Sequence, residues 1–405
     1  MEELTVDEKY ELITRNLQEV IGDEAEIKNI LAERPLKLYW GTATTGRIHL
    51  GYFVQFLKIA DYLKAGCHVK ILFADLHGFL DNMKSTLEQL EWRTKYYELV
   101  IKAVLQSMNI DISKLEFVVG SSFQLAPEYQ LDVYSLMSMT TLSDAKHSGA
   151  DVVKQSDNPK LTSLVYPLLQ VLDEEYLDVD AEASGVDQRK IFMYGRKFMP
   201  KLGYRKRHYF MTPMISGLRF EKTKDVDLQE NEDDLRAQLT VLLNTQTSEK
   251  DLLKSVKKII EKNKNEKNIQ DTKMSSSNID SKIDLLDTHN QLRKKVHKAY
   301  CLPNDIMDNS LIVLLETVIL PVVEFKKQRF CINRPEEYGG VITFQSIDEV
   351  KRQFTHGYLH PQDLKLGIAD ALNDIINPIR TLFSNEENTH VLMMAYDEKY
   401  FKRHS

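Results

Sequence analysis

The amino-acid sequence predicts an α/β protein: a doubly wound, mostly parallel sheet followed by a mainly α-helical C-terminal part. Three observations carry this. Short runs of β-favouring apolar residues at 36–40, 69–74 and 115–119 alternate with longer segments of helical period. Residues 69–74, VKILFA, are apolar almost throughout, as a parallel strand covered on both faces must be. From about residue 291 the pattern becomes mainly helical.

In order along the chain, residues 6–32 read as two short helices separated near Gly22-Asp23. Residues 36–40 form the first strand, and Gly41 and Gly46 bracket a loop of small residues. From Tyr52 the apolar positions Phe53, Phe56, Leu57, Ala60 and Leu63 recur at helical spacing. Strand, glycine-bearing loop and helix N-terminus in that order converge free N–H groups and a helix dipole, which suits an anion. His49-Leu50-Gly51-Tyr52 stands at that mouth; the plain alternative is a βα turn with a surface histidine. After the strand 69–74 come Asp75, Leu76 and His77, at the strand end where open α/β sheets bind ligands. Residues 87–108 read as a long helix, 115–119 as a third strand, and 131–150 as helical and rich in Met, Ser and Thr.

Residues 161–176 read as a helix with Leu161, Leu164, Val165, Leu168, Leu169 and Leu172 on one face. Tyr166, Gln170 and Asp173 lie opposite, at i, i+4 and i+7. Periodicity alone favours a solvated stripe there, and Pro167 marks a helix start or a kink. Residues 272–278, TKMSSSN, form a short serine-rich loop with one lysine, which alone is an ordinary linker. Residues 219–271 open acidic and turn lysine-rich at 250–267, the pattern of a solvated insert.

Composition bounds the function. A chain of 405 residues suggests two or three domains, and 42% hydrophobic with 28% charged residues is ordinary for a globular enzyme. The net charge of -7 excludes a broadly basic polyanion binder, so RNA contact must rest on local patches. Cys67, Cys301 and Cys331 are odd in number and lack metal spacing, which fits a reducing compartment. The acidic, amphipathic N-terminal residues have the wrong pattern for a signal peptide. The apolar run 311–325 is broken by Glu316 and Pro321 and is too short to span a bilayer. The expected location is cytoplasmic, with no membrane partner.

Taken together, the loop at 39–52 and the KMSSS loop resemble the HIGH-like and KMSKS-like signatures of class I aminoacyl-tRNA synthetases. YWGTATTG, ILFADLH, VYPLLQVLDEEYL, DQRKIF, SKIDLLD, RPEEYGG and LHPQDLK extend the resemblance, in order, to the tyrosyl-tRNA synthetase family of eukaryotic and archaeal type. The resemblance implies a Rossmann-type catalytic domain at 1–218, with a connecting insertion near 120–165 that forms a homodimer contact. It further implies the KMSSS loop and linker at 272–290 and a helical anticodon-binding domain at 291–405; the charged insertion 219–271 is atypical of the family.

The implied activity joins L-tyrosine to ATP, releasing pyrophosphate, and transfers tyrosine to tRNA(Tyr). The implied catalytic residues are His49, Gly51, Lys273, Ser275, Ser276 and Ser277. Tyrosine would be held by Tyr39, Tyr166, Gln170, Asp173 and Gln188. ATP would be held by Gly41, Thr42, Gly46, His49, Gly51, Gly185, Asp187, Met214, Lys273 and Met274, residues 211–218 resembling the segment whose backbone holds adenine. Arg189 and Lys190 would read the acceptor end of the tRNA, and Tyr338, His360 and Asp363 its anticodon. Mg²⁺ would accompany ATP with no dedicated protein metal site. Ser184 stands where the family more often has glycine.

Overall fold

The structure, a computed structural model, describes residues 4–80, 86–152, 160–220, 274, 281–307 and 309–396. Six strands form one sheet in the order β1-β6-β5-β2-β3-β4. They are β1 (Glu19–Ile21), β2 (Lys37–Thr42), β3 (His68–Phe73), β4 (Leu115–Val119), β5 (Ala181–Gly185) and β6 (His208–Thr212). All pair in parallel except β1, which runs antiparallel to β6. The chain builds outward from β2 through β3 to β4, then returns to lay β5 on the other side of β2. The strand order therefore reverses between β2 and β5, and a crevice opens there at the carboxyl ends. β5 and β6 are buried along nearly their whole length, as sequences lying between two layers of helices require.

The helices that matter for the site are α1 (Val6–Thr14), α2 (Glu24–Glu33), α3 (Phe53–Lys64), α4 (Asp75–Leu80), α5 (Leu87–Ser107), α6 (Ser121–Gln124), α7 (Pro127–Met139), α8 (Leu142–Ser148), α9 (Leu161–Tyr176) and α10 (Arg189–Phe198). α5 starts with a capping box, Thr86 with Gln89, and lies against C-terminal helices Pro361–Leu382 and Glu386–Ala395. One continuous apolar core runs from Ile13 and the sheet to Tyr396, so the helical part shares its interior with the sheet.

Three expectations change. Residues 6–32 hold a strand as well as two helices; β1 is only three residues long, too short to show a period. The stretch 131–150 is two helices, not one, because the chain is extended at Thr140 and Thr141, whose hydroxyl caps α8. Residues 281–287, within the expected linker, run beside the first signature loop, and helix begins at His289–Lys298. The C-terminal part also carries a two-stranded hairpin, β7 (Phe330–Ile332) with β8 (Ile342–Phe344). Residues 221–273, which hold most of the charged insertion, lie outside the described residues.

Candidate active site

The crevice holds a cavity of about 710 Å³. Its walls come from the carboxyl ends of β2, β5 and β6, the loop after β2, and one face of α9. Tyr39, Gly41, Thr42, His49, Gly51, Tyr166, Gln170, Asp173, Gly185, Asp187, Gln188, Met214 and Met274 all line it. A larger groove of about 1150 Å³ sits at the opposite, amino-terminal edge of the strands and contains none of these.

The loop after β2 is tied from several sides. The carbonyl of Gly46 accepts from the phenols of Tyr97 and Tyr396, at 2.7 and 2.8 Å. Gly46 therefore anchors the loop to α5 and to the end of the chain's last described helix, and it is not a lining residue. His49 caps the helical turn Leu50–Tyr52, its Nδ1 accepting from the Gly51 amide at 3.2 Å. The Gly51 N–H is thus turned onto the imidazole. With Nδ1 an acceptor, the ring proton sits on Nε2.

The segment beyond the serine loop is laid directly on this turn. Leu50 donates its N–H to Ile283 O at 2.9 Å, and His49 pairs as an antiparallel bridge with Asp284. Arg47 and Asp284 form an ion pair of 2.7 Å with both side chains almost fully buried. Met274 donates its N–H to Ile215 O at 2.9 Å and packs against Gly51. The two signature segments therefore meet at Met274. Lys273 and Ser275, Ser276 and Ser277 lie outside the described residues.

Gly51 has no room for a side chain. A Cβ there would come to 2.9 Å from His49 Cε1 and 3.4 Å from Met274 Cβ. Gly51→Ala is therefore expected to displace the imidazole and lower the rate of the chemical step in this cavity about 10²–10³-fold, the cost of one misplaced donor at a reacting oxyanion. Single-turnover rates would show it; an unchanged rate would mean that the His49 ring plays no part. Gly185 is equally crowded, a Cβ meeting Asp187 Oδ1 at 2.5 Å and Met214 Sδ at 3.1 Å.

At the cavity floor the stripe on α9 faces inward. Asp173 is 1% exposed. Its Oδ1 accepts from Gln124 Nε2 at 2.7 Å and Tyr129 OH at 2.8 Å, while Oδ2 has no hydrogen-bond partner among the described residues. Burial drives its carboxyl well above the usual carboxylate range, and the two donors pull the other way. Tyr39, also 1% exposed, donates to Gln170 O at 3.3 Å. The stripe is thus not solvated. Conversely, Leu161, expected on the apolar face, is 79% exposed at the first turn of α9. Pro167 stands inside α9 rather than at its start; it removes the bond to Ser163 O and packs toward Gly149.

Sequence reasoning missed His77, Gln124 and Tyr129. His77 was noted only as a strand-end residue; its ring meets Tyr166 edge-on at 4.6 Å, and Nε2 lies 4.0 Å from Asp173 Oδ2. That approach is no ion pair, since burial lowers His77 to about 4 and raises Asp173. A histidine held neutral when folded binds its proton on unfolding. The stability this confers is present above pH 6.5 and lost as pH falls toward 4, amounting to about 3 kcal/mol at most. Denaturant midpoints between pH 4 and 7 should fall more steeply in the wild type than in His77→Gln; parallel curves would refute this.

Arg189 and Lys190 lie outside the cavity wall, paired with Glu19 at 2.8 Å and Asp151 at 2.8 Å. Tyr338, His360 and Asp363 lie apart, in the helical part. Tyr338 is 67% exposed, His360 caps helix Pro361–Leu382, and Arg334 reaches both Gly340 O at 3.1 Å and Asp363 at 3.6 Å. Among the described residues there is no group of three or more His, Cys, Asp or Glu side chains able to hold a metal ion.

A glycine-bearing loop at a sheet switch point, a second segment packed on it, and a polar slot below have the layout in which open α/β sheets bind ligands. The family profile of class I tRNA synthetases (W and Y) matches residues 31–266 and 266–377, and the chain belongs to that family. Its similarity within the family is to tyrosine enzymes. "Tyrosine--tRNA ligase, cytoplasmic" of Saccharomyces cerevisiae is 45% identical over 391 residues, 95% of this chain and 86% of that protein. The protein of the same name from Danio rerio is 45% identical over 397 residues, and the chain spans 64% of its length. Tyrosyl-tRNA synthetase of Archaeoglobus fulgidus, solved with L-tyrosine, superposes with a TM-score of 0.72 at 29% identity, covering 94% of this chain and 100% of that one. Tryptophanyl-tRNA synthetase of Giardia lamblia shares the fold, with a TM-score of 0.59 at 16% identity over 96% of this chain and 91% of that one.

Proposed function

We propose that the chain is a cytoplasmic tyrosine–tRNA ligase, and that the cavity binds L-tyrosine beside ATP. The observation that carries this is Asp173: a buried carboxyl at the cavity floor, held on one oxygen by two donors and open on the other. A phenolic hydroxyl both donates and accepts; Asp173 Oδ2 can accept from it, and the Tyr39 hydroxyl can donate to it by turning from Gln170 O. An indole N–H needs an acceptor alone, which disfavours tryptophan.

The tyrosine carboxylate attacks the α-phosphorus of ATP in line, and pyrophosphate leaves. No protein nucleophile is required; rate comes from positioning and from donors aimed at the charge on phosphate oxygens. Nε2–H of His49 is one such donor, with Lys273 and the serines of its loop closing over the pyrophosphate. Asp187 accepts from the ribose hydroxyls beside Gly185, and Tyr166, Gln170 and Gln188 hold the ammonium group. A hydroxyl of the tRNA 3′-terminal adenosine then attacks the activated carbonyl and AMP departs. Mg²⁺ travels on the triphosphate, neutralising charge there.

Arg189 and Lys190 serve the acceptor end of the tRNA. Their present partners are no obstacle, because surface ion pairs are worth only about 0–1 kcal/mol and exchange readily for phosphates. Tyr338 supplies an exposed stacking face for an anticodon base, with Asp363 and His360 as hydrogen-bonding groups. α7 exposes Leu131, Tyr134 and Met137 at three-residue spacing, and Leu125, Leu142 and Leu161 in the same region of the chain are exposed as well. Such a stripe on the connecting region supports a homodimer. Sedimentation should give a dimer, and Leu131→Glu with Tyr134→Glu a monomer.

Tyrosine-dependent exchange of pyrophosphate into ATP tests the main reading. Exchange with tryptophan instead, or with neither amino acid, would overturn it.

A further inference from the structure

Behind the cavity floor lies a pair of carboxyls that neither the motifs nor the spacing singled out. Glu182 on β5 lines the cavity, and Glu174 on α9 sits behind it; each is 1% exposed. Glu182 Oε1 accepts from Gln170 Nε2 at 2.9 Å, and the Tyr39 phenol interacts with the same carboxyl. On the far side Glu174 Oε2 accepts from Tyr209 OH at 3.2 Å. The two carboxyls interact with each other, and burial raises both, Glu174 to about 8. Glu182 Oε2 and Glu174 Oε1 are buried with no other hydrogen-bond partner among the described residues. Two adjacent buried carboxylates do not both ionise, and a proton held between the two side chains lets one donate to the other.

This arrangement has a consequence for Gln170. With its NH₂ turned onto Glu182, its carbonyl oxygen is turned the other way, and only that oxygen can accept from an ammonium group. Without Glu182 the amide is free to rotate and present the wrong end.

We propose that Glu182, backed by Glu174, is a positioning residue of the amino-acid slot, fixing the Gln170 amide so that its oxygen meets the substrate's ammonium group. The proposal rests on the reading of the slot as a tyrosine site. Glu182 acts through Gln170 and takes no part in phosphoryl chemistry, so its removal should weaken amino-acid binding rather than turnover.

The test is tyrosine-dependent pyrophosphate exchange with the full chain. Glu182→Ala should raise KM for tyrosine about tenfold, with KM for ATP changed less than twofold. Glu182→Gln should restore KM to within about threefold of wild type, since its amide oxygen accepts the same bond and its NH₂ donates to Glu174. In a Gln170→Ala background, Glu182→Ala should add less than a twofold effect. An unchanged KM for tyrosine in Glu182→Ala, no rescue by Glu182→Gln, or multiplicative effects in the double variant would overturn the proposal. Should Glu182→Ala melt below the assay temperature, Glu174→Leu is measured in its place; a KM raised about threefold supports the pair and an unchanged one refutes it. Wild-type enzyme silent with tyrosine would remove the tyrosine reading itself, and this proposal with it. Active wild type with an indifferent Glu182→Ala would remove this proposal alone.

Discussion

Asp173→Ala is expected to lower kcat/KM for tyrosine by about three orders of magnitude and to bring the tyrosine-to-phenylalanine ratio within about tenfold of unity. Leaving a buried polar group without its partner costs about 1–3 kcal/mol, and the misfit left behind adds to it. A site built around a substrate hydroxyl rejects the analogue lacking it by about 10⁴–10⁵, and the tyrosine enzyme is itself the type example of that rule, so the figure is not an independent one. Asp173 also holds Gln124 in place, and the alanine would leave the Gln124 amide buried without that acceptor, whereas Tyr129 OH keeps Leu169 O at 2.9 Å. Asp173→Asn separates the effects, since it still accepts from Gln124 or Tyr129 but lacks a second carboxylate oxygen. Parallel exchange assays with tyrosine and phenylalanine are the measurement. A ratio unchanged in both variants would show that the phenol is read elsewhere.

Asp284→Ala is expected to cost about 3–5 kcal/mol of stability, because it leaves the buried Arg47 guanidinium without its carboxylate. The effect should reach the active site. Asp284 sits opposite His49 in the bridge that holds the returning segment to the first signature loop, and its Oδ1 also accepts from Leu286 N at 3.0 Å. KM for ATP should therefore rise together with the loss in denaturant midpoint. The double variant Arg47→Met with Asp284→Leu removes both charges and should recover most of the stability. If the double variant were as unstable as Asp284→Ala, the cost would belong to the backbone at 284 and not to the ion pair.

Much of the fold was readable. The strand at 115–119 and the helix Leu161–Tyr176 match their expected bounds, because each has a strong period and clear flanks. The first strand, its glycine loop and the following helix were legible for the same reason. β1 was not, since three residues on a sheet edge carry no period, nor was the break at Thr140-Thr141, where favourable helical residues stand on both sides. Within the site, Tyr39, Gln170 and Asp173 were found by motif, whereas His77 as a pocket wall, Gln124, Tyr129, Glu174 and Glu182 were not. Those five act through contacts made across the fold, and nothing local distinguishes them from ordinary core or helix residues.

Local sequence determined which residues share a face and where strands, turns and helices begin, because backbone geometry repeats every two or 3.6 residues. Only the tertiary structure decided what each face meets. The α9 stripe at Tyr166, Gln170 and Asp173 has the pattern of a solvated surface, yet Asp173 is buried because β2, α6 and α7 close over it. Leu161 has the pattern of a core residue and stands in the open. Periodicity fixes direction around an element's axis; burial, and with it the charge state of a carboxyl, depends on distant segments that the period cannot encode.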